Sequence, residues 1–236
     1  MSPSPSYGGE RGGRHLSGIF IRSPIPRVQH HMRLKHLEMK LQRLRGFPAP
    51  RPVLEQYATP ADVAARLLYH ASIEDAIAGR QVLDLGCGTG VLACGAALLG
   101  AEGVVGIDVD IGALRTARSN AESLGIDLAL LRGEVGAAFP LRPQTFDTVV
   151  MNPPFGAQRK HADRPFIDCA LMAASVVYGI FNAGSLDFIE KYVKGRGEVT
   201  GVVEGSFVIP RTFAFHRKDR VEIPVEVLKI ERTGRC

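Results

Sequence analysis

A glycine-rich turn between an apolar strand and an apolar helix constrains the fold of this chain more than any other feature. Gln81–Leu85 has the composition of a buried strand, and Val91–Leu99 has the pattern of a helix. Between them, glycine occurs at alternate positions: Gly86, Gly88 and Gly90. Glycine is needed in such a turn because a Cβ atom would keep the backbone away from a ligand. The segment therefore predicts a strand, a binding loop and a helix in an α/β fold.

Strand and helix patterns alternate along most of the chain. Apolar runs with strand character occur seven times: Gln81–Leu85, Val104–Asp108, Leu128–Arg132, Thr145–Met151, Ser175–Phe181, Thr200–Val208 and Val221–Ile230. Helical patterns such as Val91–Leu99 and Ile111–Leu124 separate the early strands. Alternation of this kind predicts a doubly wound, mostly parallel seven-stranded sheet. Ligands of such sheets bind at the carboxyl ends of the strands.

The segment before the first strand has helical periodicity. Leucines recur at intervals of three or four residues: Leu34, Leu37, Leu41 and Leu44. This stripe predicts an amphipathic helix, which the prolines after residue 46 end. Thr59 and Pro60 are typical of an N-cap and first helical turn, so a second helix is expected to run to about Tyr69. We therefore expect residues 32–236 to form one domain with an N-terminal helical segment at 32–70.

The first 31 residues differ in composition from the rest. They are rich in Ser, Pro, Gly and Arg and lack hydrophobic periodicity, which predicts a disordered extension. Residues 1–51 contain ten Lys or Arg but only two Glu, for a net charge of +8, whereas the remainder has 19 basic and 22 acidic residues, for a net charge of −3. A basic arm on a nearly neutral domain is typical of nucleic-acid-binding proteins, and a solubilising tail is the alternative.

Composition also bears on location and on metal binding. No apolar run approaches the roughly 20 residues that span a bilayer, and the N-terminus lacks a signal-peptide pattern, so we expect a cytoplasmic protein. The chain has four cysteines: Cys87, Cys94, Cys169 and Cys236. They form no C-x-x-C pair and have no histidines at ligand spacing, so neither a disulfide framework nor a metal site is expected.

Acidic residues follow successive predicted strands and suggest a nucleoside pocket. The glycine spacing departs from the dinucleotide fingerprint, which has its third glycine where this chain has Val91, and this weakens an NAD interpretation. Asp84 is expected to organise the turn and face a cationic amino-acid group. Asp108 is expected to accept hydrogen bonds from both ribose hydroxyls. Glu134 is a candidate acceptor for the adenine amino group or a solvated loop carboxylate, and Asp110 is the expected N-cap of the next helix.

The fourth predicted strand ends in Asn152-Pro153-Pro154-Phe155. An amine conjugated to an aromatic ring is a poor nucleophile because its lone pair is delocalised. Two oxygens that accept hydrogen bonds from its N–H groups would free that lone pair, and the Asn152 side chain and the Pro153 carbonyl are the natural acceptors. The prolines hold these groups, and Phe155 can stack on a base. The motif predicts methyl transfer from S-adenosylmethionine to an amino nitrogen, with a plain turn after a strand as the alternative.

Basic and aromatic residues predict contacts with RNA. A base inside a helix cannot reach such a pocket, so the substrate must be single-stranded, looped or flipped out. The candidate RNA-binding residues are Lys35, Lys40, Arg43, Arg159, Lys160, Phe215, His216, Arg217 and Lys218. A solvated loop is the alternative for Gln158–Arg164, and buried strand aromatics are the alternative around Phe215.

Four segments together resemble the methyltransferase-like protein 5 family: Leu54–Pro60, Asp84–Leu92, Asn152–Gly156 and Phe215–Lys218. The likeness covers about residues 32–231. It implies a Rossmann-like class I methyltransferase fold and formation of N6-methyladenosine in small-subunit ribosomal RNA. It also implies a small zinc-binding activator subunit, which in eukaryotic members pairs with an edge of the sheet.

The resemblance extends the expected cofactor site. With the residues named above, the set is Gln56, Thr59, Asp84, Gly86, Gly88, Thr89, Gly90, Val91, Asp108, Glu134 and Asn152. Glu134 stands where the family usually has aspartate, and Thr89 stands where eukaryotic members have cysteine.

Other functions compete with this interpretation. Asn-Pro-Pro-aromatic loops also occur in enzymes that methylate DNA adenine, RNA guanine or the glutamine N5 of release factors. Phe155 favours a base as substrate, since the glutamine enzymes usually carry tyrosine there. A catalytically silent RNA-binding assembly factor is the alternative from another class, and the intact Asn152–Phe155 loop argues against it. A nicotinamide-dependent oxidoreductase conflicts with the glycine spacing.

Overall fold

A computed structural model describes residues 32–136, 141–156, 158–210 and 220–234 of the chain. In order, the elements are α1 Leu34–Leu41, a 3-10 helix Pro52–Leu54, α2 Ala61–Ile73, β1 Gln81–Leu85, α3 Val91–Leu98, β2 Gly103–Asp108, α4 Ile111–Leu124, β3 Ala129–Arg132, β4 Phe146–Met151, α5 Arg164–Ala173, β5 Ala174–Asn182, α6 Leu186–Val193, β6 Gly197–Pro210 and β7 Arg220–Arg232.

The seven strands form one sheet in the order β3-β2-β1-β4-β5-β7-β6. Strands β1 to β5 are parallel, whereas β7 pairs antiparallel with β5 and with β6. The chain order reverses between β1 and β4, the kind of crossover beside which doubly wound sheets bind ligands. The predicted doubly wound, mostly parallel sheet is confirmed.

Helices cover both faces of the sheet. Residues of α1, α2 and α3 pack with Val82 and Val150 in one buried cluster, while α5 and α6 pack with Leu83 and Val149 in another. Neighbouring residues of a strand point to opposite faces, which explains why β1 and β4 contribute to both clusters. Leu37 anchors α1 in the first cluster and is completely buried, a contribution of about 2 kcal/mol to stability.

The helices upstream of β1 differ from the prediction at their ends. The leucine stripe forms a helix only over Leu34–Leu41. The Thr59 N-cap was wrong, because the N-cap residue is Pro60 and α2 continues to Ile73 without a side-chain cap. Thr59 instead accepts a hydrogen bond from Asn152. The hydroxyl expected to begin a helix thus binds the loop after β4.

The β6–β7 hairpin is longer than the strand beside it. Pairing of β5 with β7 ends at Asn182 and Val225, whereas pairing of β6 with β7 continues to Pro210 and Arg220. The hairpin therefore extends beyond the carboxyl end of β5. Residues 211–219, with the predicted RNA-binding positions Phe215, His216, Arg217 and Lys218, lie outside the described residues.

Residues 1–31 also lie outside the described part of the chain, so their disorder stays a prediction. Among the described residues, no helix has the length and apolar composition needed to cross a bilayer.

Candidate active site

The carboxyl ends of three strands bring the predicted site residues together. The register pairs Leu85 with Ile107 and with Met151, so Gly86, Asp108 and Asn152 follow at one edge of the sheet. Two cavities lie there, of about 490 Å³ and about 30 Å³. Gly86, Gly88 and Asn152 line both. The glycine turn and the Asn-Pro-Pro-Phe motif therefore face shared space.

The glycine turn has a backbone that only glycine adopts readily. Gly86, Gly88 and Gly90 have φ angles of 69°, 52° and 81°, in the left-handed region. A Cβ atom on Gly86 would lie 2.8 Å from Cε1 of Phe166, and one on Gly88 would lie 2.8 Å from Cζ of Phe47. Both dihedral angle and packing therefore require glycine at these two positions.

Asp84 is a buried carboxylate with one unused oxygen. Its side chain is 1% exposed, and Oδ2 accepts a hydrogen bond of 2.9 Å from the backbone N–H of Ala93. Oδ1 has no hydrogen-bond partner among the described residues. Burial raises the pKa of Asp84 to about 7, with the negative charge of Asp108 acting in the same direction and the Ala93 amide opposing it. A cationic ligand would offset this cost of burial.

Asp108 forms part of the wall of the larger cavity. Its Oδ2 accepts from the Gly88 backbone N–H and its Oδ1 from the Asp110 backbone N–H, both at 2.8 Å. Burial raises the pKa of Asp108, and these two amides oppose the shift. Each carboxylate oxygen retains a second lone pair that can accept from a ligand hydroxyl. Glu134 lines the same cavity but is exposed, so both of its proposed roles stay open.

Gln56 connects the segment before α2 to the start of α4 through the two hydrogen bonds of its side-chain amide. Its Oε1 accepts from the Arg51 backbone N–H and its Nε2 donates to Asp110 Oδ2, each at 2.8 Å. Asp110 Oδ1 accepts from Gly112 N–H, which confirms Asp110 as the N-cap of α4. The hydrogen bond from Gln56 is the main cause of a lowered Asp110 pKa. Gln56 lines the larger cavity, although both ends of its amide bind other protein groups.

The side chain of Asn152 is oriented by the protein. Its Nδ2 donates to the Thr59 hydroxyl at 3.0 Å, while its buried Oδ1 has no partner among the described residues. Pro153 is buried, and Pro154 lines the larger cavity. Phe155 is half-buried and packs against the cluster formed with α1, α2 and α3. One acceptor in this motif is therefore held in position and unused.

Sequence reasoning missed the residues that cover and support the glycine turn. Phe47 and Phe166 pack against Gly88 and Gly86, and neither has a recognisable motif. Asn120 is buried, accepts from Arg45 N–H and donates to the carbonyl oxygens of Arg45 and Thr89. The available signal was a polar residue within the otherwise apolar stripe of α4, since Ala113, Ala117 and Ala121 are buried on that helix.

The predicted basic residues fall into different places. Arg159 and Lys160 line the larger cavity and are exposed. Lys35, Lys40 and Arg43 are exposed on or just after α1 and line neither of the two cavities at the strand ends. Among the described residues, no cluster of three His, Cys, Asp or Glu side chains has a geometry that could hold a metal ion.

A larger groove of about 770 Å³ lies between α2 and the β6–β7 hairpin. Val63, Leu67, Val225 and Val227 contribute apolar walls, and Arg66 is a basic group in it. None of the glycine-turn or Asn-Pro-Pro-Phe residues lines this groove. The chemistry-bearing residues thus belong to the smaller cavities at the strand ends.

Comparisons with known proteins agree with this geometry. Residues 58–178 match the family model of the methyltransferase small domain. The rRNA N(6)-adenosine-methyltransferase METTL5 of Danio rerio is 36% identical over 208 residues, which cover 86% of this chain and 100% of that protein. The ribosomal protein L11 methyltransferase of Azotobacter vinelandii is 39% identical over 136 residues, but these cover only 58% of this chain and 42% of that protein.

A solved structure is similar over nearly the same region. It is that of a Pyrococcus horikoshii protein named as a proposed RNA methyltransferase, with 40% identity and a TM-score of 0.79, and the match covers 86% of this chain and 99% of that one. The chain therefore belongs to the methyltransferase small domain family and, within it, to the METTL5 family of rRNA N(6)-adenosine-methyltransferases.

Proposed function

We propose that this protein transfers a methyl group from S-adenosylmethionine to the N6 amino group of an adenine in ribosomal RNA, and that the small-subunit RNA is the substrate. One observation carries the proposal: the buried, unused Oδ1 of Asn152 lies at the same strand ends as the buried, unused Oδ1 of Asp84. An acceptor for an amine and an acceptor for a cation are what methyl transfer to an amino nitrogen from a sulfonium amino acid needs. The kinship with METTL5 supports adenine in ribosomal RNA.

The residues at the glycine turn fit this cofactor. Gly86 and Gly88 let the backbone approach it, Asp84 offers a buried negative charge to its ammonium group, and Asp108 offers lone pairs to the ribose hydroxyls. Glu134 is the proposed partner of the adenine amino group. The wider set comprises Gln56, Thr59, Thr89, Gly90, Val91 and Asn152. When bound, S-adenosylmethionine supplies an electrophilic methyl group on a sulfonium sulfur.

Asn152 and Pro153 are the proposed groups that activate the amine. Their oxygens accept hydrogen bonds from the two amino hydrogens, which localises the nitrogen lone pair for attack on the methyl carbon. The carbon–sulfur bond breaks as the new carbon–nitrogen bond forms, and the amino proton then leaves to water. Pro154 restricts the backbone, and Phe155 is the proposed stacking surface for the base. Thr59 supports this role because it holds Nδ2 of Asn152 and so directs Oδ1 away from itself.

Basic groups next to the cavity are the proposed contacts for RNA phosphates. Arg159 and Lys160 line the cavity that Asn152 and Pro154 also line. The hairpin residues Pro210 and Arg220 extend past the carboxyl end of β5, toward the edge where Asn152 lies. The length and direction of the hairpin support the proposed contact between RNA and Phe215, His216, Arg217 and Lys218. Lys35 and Lys40 on α1, Arg43 just after it, and the basic extension 1–31 are further candidates.

The assembly around this site is also proposed. Residues 32–236 act as one methyltransferase domain, and a small zinc-binding activator subunit is the proposed partner. Strand β3 supports such a partner because it lies at an edge of the sheet and has Leu131 exposed on it. A cytoplasmic location is the remaining part of the proposal, and cell fractionation tests it.

A tritium-transfer assay separates the competing substrates. Labelled S-adenosylmethionine is incubated with ribosomal RNA, DNA and a release factor in parallel, and nucleosides from the RNA are then identified by mass spectrometry. We expect label in N6-methyladenosine of the RNA. The N152A variant, assayed in parallel, should lose most of this label, which would attribute the transfer to this site. Label in protein alone would support the glutamine alternative and overturn the RNA assignment. Cofactor binding without any transfer would support an assembly factor.

A further inference from the structure

A glutamate upstream of α2 holds the chain that follows the Asn-Pro-Pro-Phe motif. Glu55 Oε2 accepts from the Gly156 backbone N–H at 3.1 Å, and Oε1 accepts from the Gln158 backbone N–H at 2.7 Å. These donors begin directly after Phe155. A carboxylate that accepts two backbone hydrogen bonds makes charge-assisted contacts, which are stronger than those between neutral groups.

The backbone of Glu55 adopts an unfavourable conformation. Its φ and ψ are 49° and 42°, in the left-handed region, where it follows the 3-10 helix Pro52–Leu54. A residue with a Cβ atom costs about 1 kcal/mol or more in that region, where glycine or asparagine is the usual choice. The conformation is held by a hydrogen bond from the Glu55 N–H to the Pro52 carbonyl. The two contacts of the carboxylate explain why glutamate occupies this position.

The reacting loop is held at both ends by one segment of chain. Thr59 binds Asn152 where the motif begins, and Glu55 binds Gly156 and Gln158 where it ends. Gln56, between them, fastens the same segment to Asp110 at the start of α4. Any movement of the 55–59 segment is therefore transmitted to both ends of the reacting loop.

We propose that Glu55 is a positioning residue for methyl transfer, which acts by holding the Asn152–Phe155 loop through Gly156 and Gln158. The inference rests on the proposed function of that loop. Glu55 works through the loop and requires no contact with the reacting atoms. Near-attack geometry is sensitive to displacements of about 1 Å, which can change a rate by about 100-fold, so loosening this loop reduces turnover more than cofactor binding.

The test compares Glu55→Gln with a matched control, Glu102→Gln. Glutamine has the same shape but one acceptor oxygen, and its NH₂ group faces an N–H donor. Glu102 is exposed before β2, at the opposite end of the sheet from the site. We expect amide hydrogen exchange at Gly156 and Gln158 to accelerate at least about tenfold in E55Q, as local opening becomes easier. We expect the single-turnover rate at saturating RNA to fall roughly 10- to 100-fold, with the S-adenosylmethionine Kd within about twofold of wild type.

A second variant tests how far the Glu55 carboxylate must reach. Glu55→Asp keeps the charge but is one methylene shorter, so it reaches one amide and is expected to give intermediate exchange and an intermediate rate. Thermal unfolding checks that each variant is folded. If E55Q is unfolded, E55D is compared with the wild type in its place.

Three results would overturn the proposal. The first is exchange at Gly156 and Gln158 unchanged in the folded variant. The second is faster exchange with a single-turnover rate within twofold of wild type. The third is a cofactor Kd that weakens in parallel with the rate, which would make Glu55 part of the cofactor site. If wild-type protein labels no RNA, the proposed function fails, and the exchange data still decide whether Glu55 holds the loop.

Discussion

Two buried oxygens, Asp84 Oδ1 and Asn152 Oδ1, have no hydrogen-bond partner among the described residues. An unsatisfied buried acceptor costs about 1–3 kcal/mol, and more when it is charged. Each oxygen is held by a bond to the other heteroatom of its group: Asp84 Oδ2 binds Ala93 and Asn152 Nδ2 binds Thr59. At the residue scale, these two unpaired acceptors lower the stability of the ligand-free protein, and ligands that donate hydrogen bonds to them would remove that cost.

Replacing Asn152 by alanine removes the acceptor but leaves the glycine turn intact. We expect kcat to fall about 100- to 1,000-fold, because a preorganised group at the reacting centre is lost, with the Kd for S-adenosylmethionine nearly unchanged. Rapid-quench methylation and calorimetry measure the two quantities. Asn182→Ala, at the end of neighbouring β5, is the control and should retain wild-type turnover. Near-normal turnover of N152A would remove this residue from the mechanism.

Asp84 predicts a pH dependence of cofactor binding. Because burial raises its pKa to about 7, the free protein carries a protonated, neutral Asp84 below that pH, and only the carboxylate pairs with an ammonium. Affinity should therefore rise from pH 5.5 to 7.5, with each unit below about 7 weakening binding up to about tenfold. Calorimetry over this range is the measurement.

The matched variants for this titration are Asp84→Asn and Asp187→Asn. The first should bind weakly with little pH dependence, and the second, exposed on α6, should follow the wild-type curve. The stability of the protein changes with pH in the opposite direction to its affinity for the cofactor. The folded pKa lies above the unfolded value of 3.8, so folded protein binds more protons and loses stability as pH rises toward 7. A wild-type affinity that is flat across this range would contradict the role of Asp84.

At the scale of elements, helix α4 supports the glycine turn through Asn120. Asn120→Ala would leave the buried carbonyl of Thr89 and the partly buried N–H and carbonyl of Arg45 without this partner, so we expect a loss of roughly 2–3 kcal/mol in the free energy of unfolding and weaker cofactor binding. Urea unfolding measures the first. Arg118→Ala, exposed on the same helix, should change stability by less than about 0.5 kcal/mol. Equal losses in the two variants would mean that Asn120 has no special role.

Helices α5 and α6 show where pattern reasoning fails between elements. Helix α5 ends at Ala173 and β5 begins at Ala174, so no turn residues separate them and the apolar run appears continuous. A solvated loop is one of the two alternatives that the sequence leaves for Gln158–Arg164, yet Arg164 begins α5. Its guanidinium lies 5.2 Å from the ring centre of Phe188 and 5.5 Å from that of Tyr192, both on α6. Only packing between helices reveals that contact.

At the scale of the whole molecule, part of the basic charge precedes the domain that contains the site. Residues 1–31 contain four arginines and one glutamate, while the domain that follows contains the site. A chain beginning at Met32 should therefore keep S-adenosylmethionine binding and lose RNA affinity. The slope of log K against log salt should fall by no more than about 3, given four cations and single-stranded RNA. Filter binding at several salt concentrations measures this, and an unchanged slope would favour a solubilising tail.

The sequence alone determined the sheet, the glycine turn, the N-cap at Asp110 and the segments expected to form the site. These follow from local rules: strand and helix periodicity, the left-handed backbone that glycine allows, and short motifs at strand ends. Only the tertiary structure decided that Thr59 binds Asn152 rather than capping a helix, that Glu55 holds Gly156, and that Phe47 covers Gly88. Such contacts join residues tens of positions apart, and hydrogen bonding and packing across that distance leave no periodic signal in the chain.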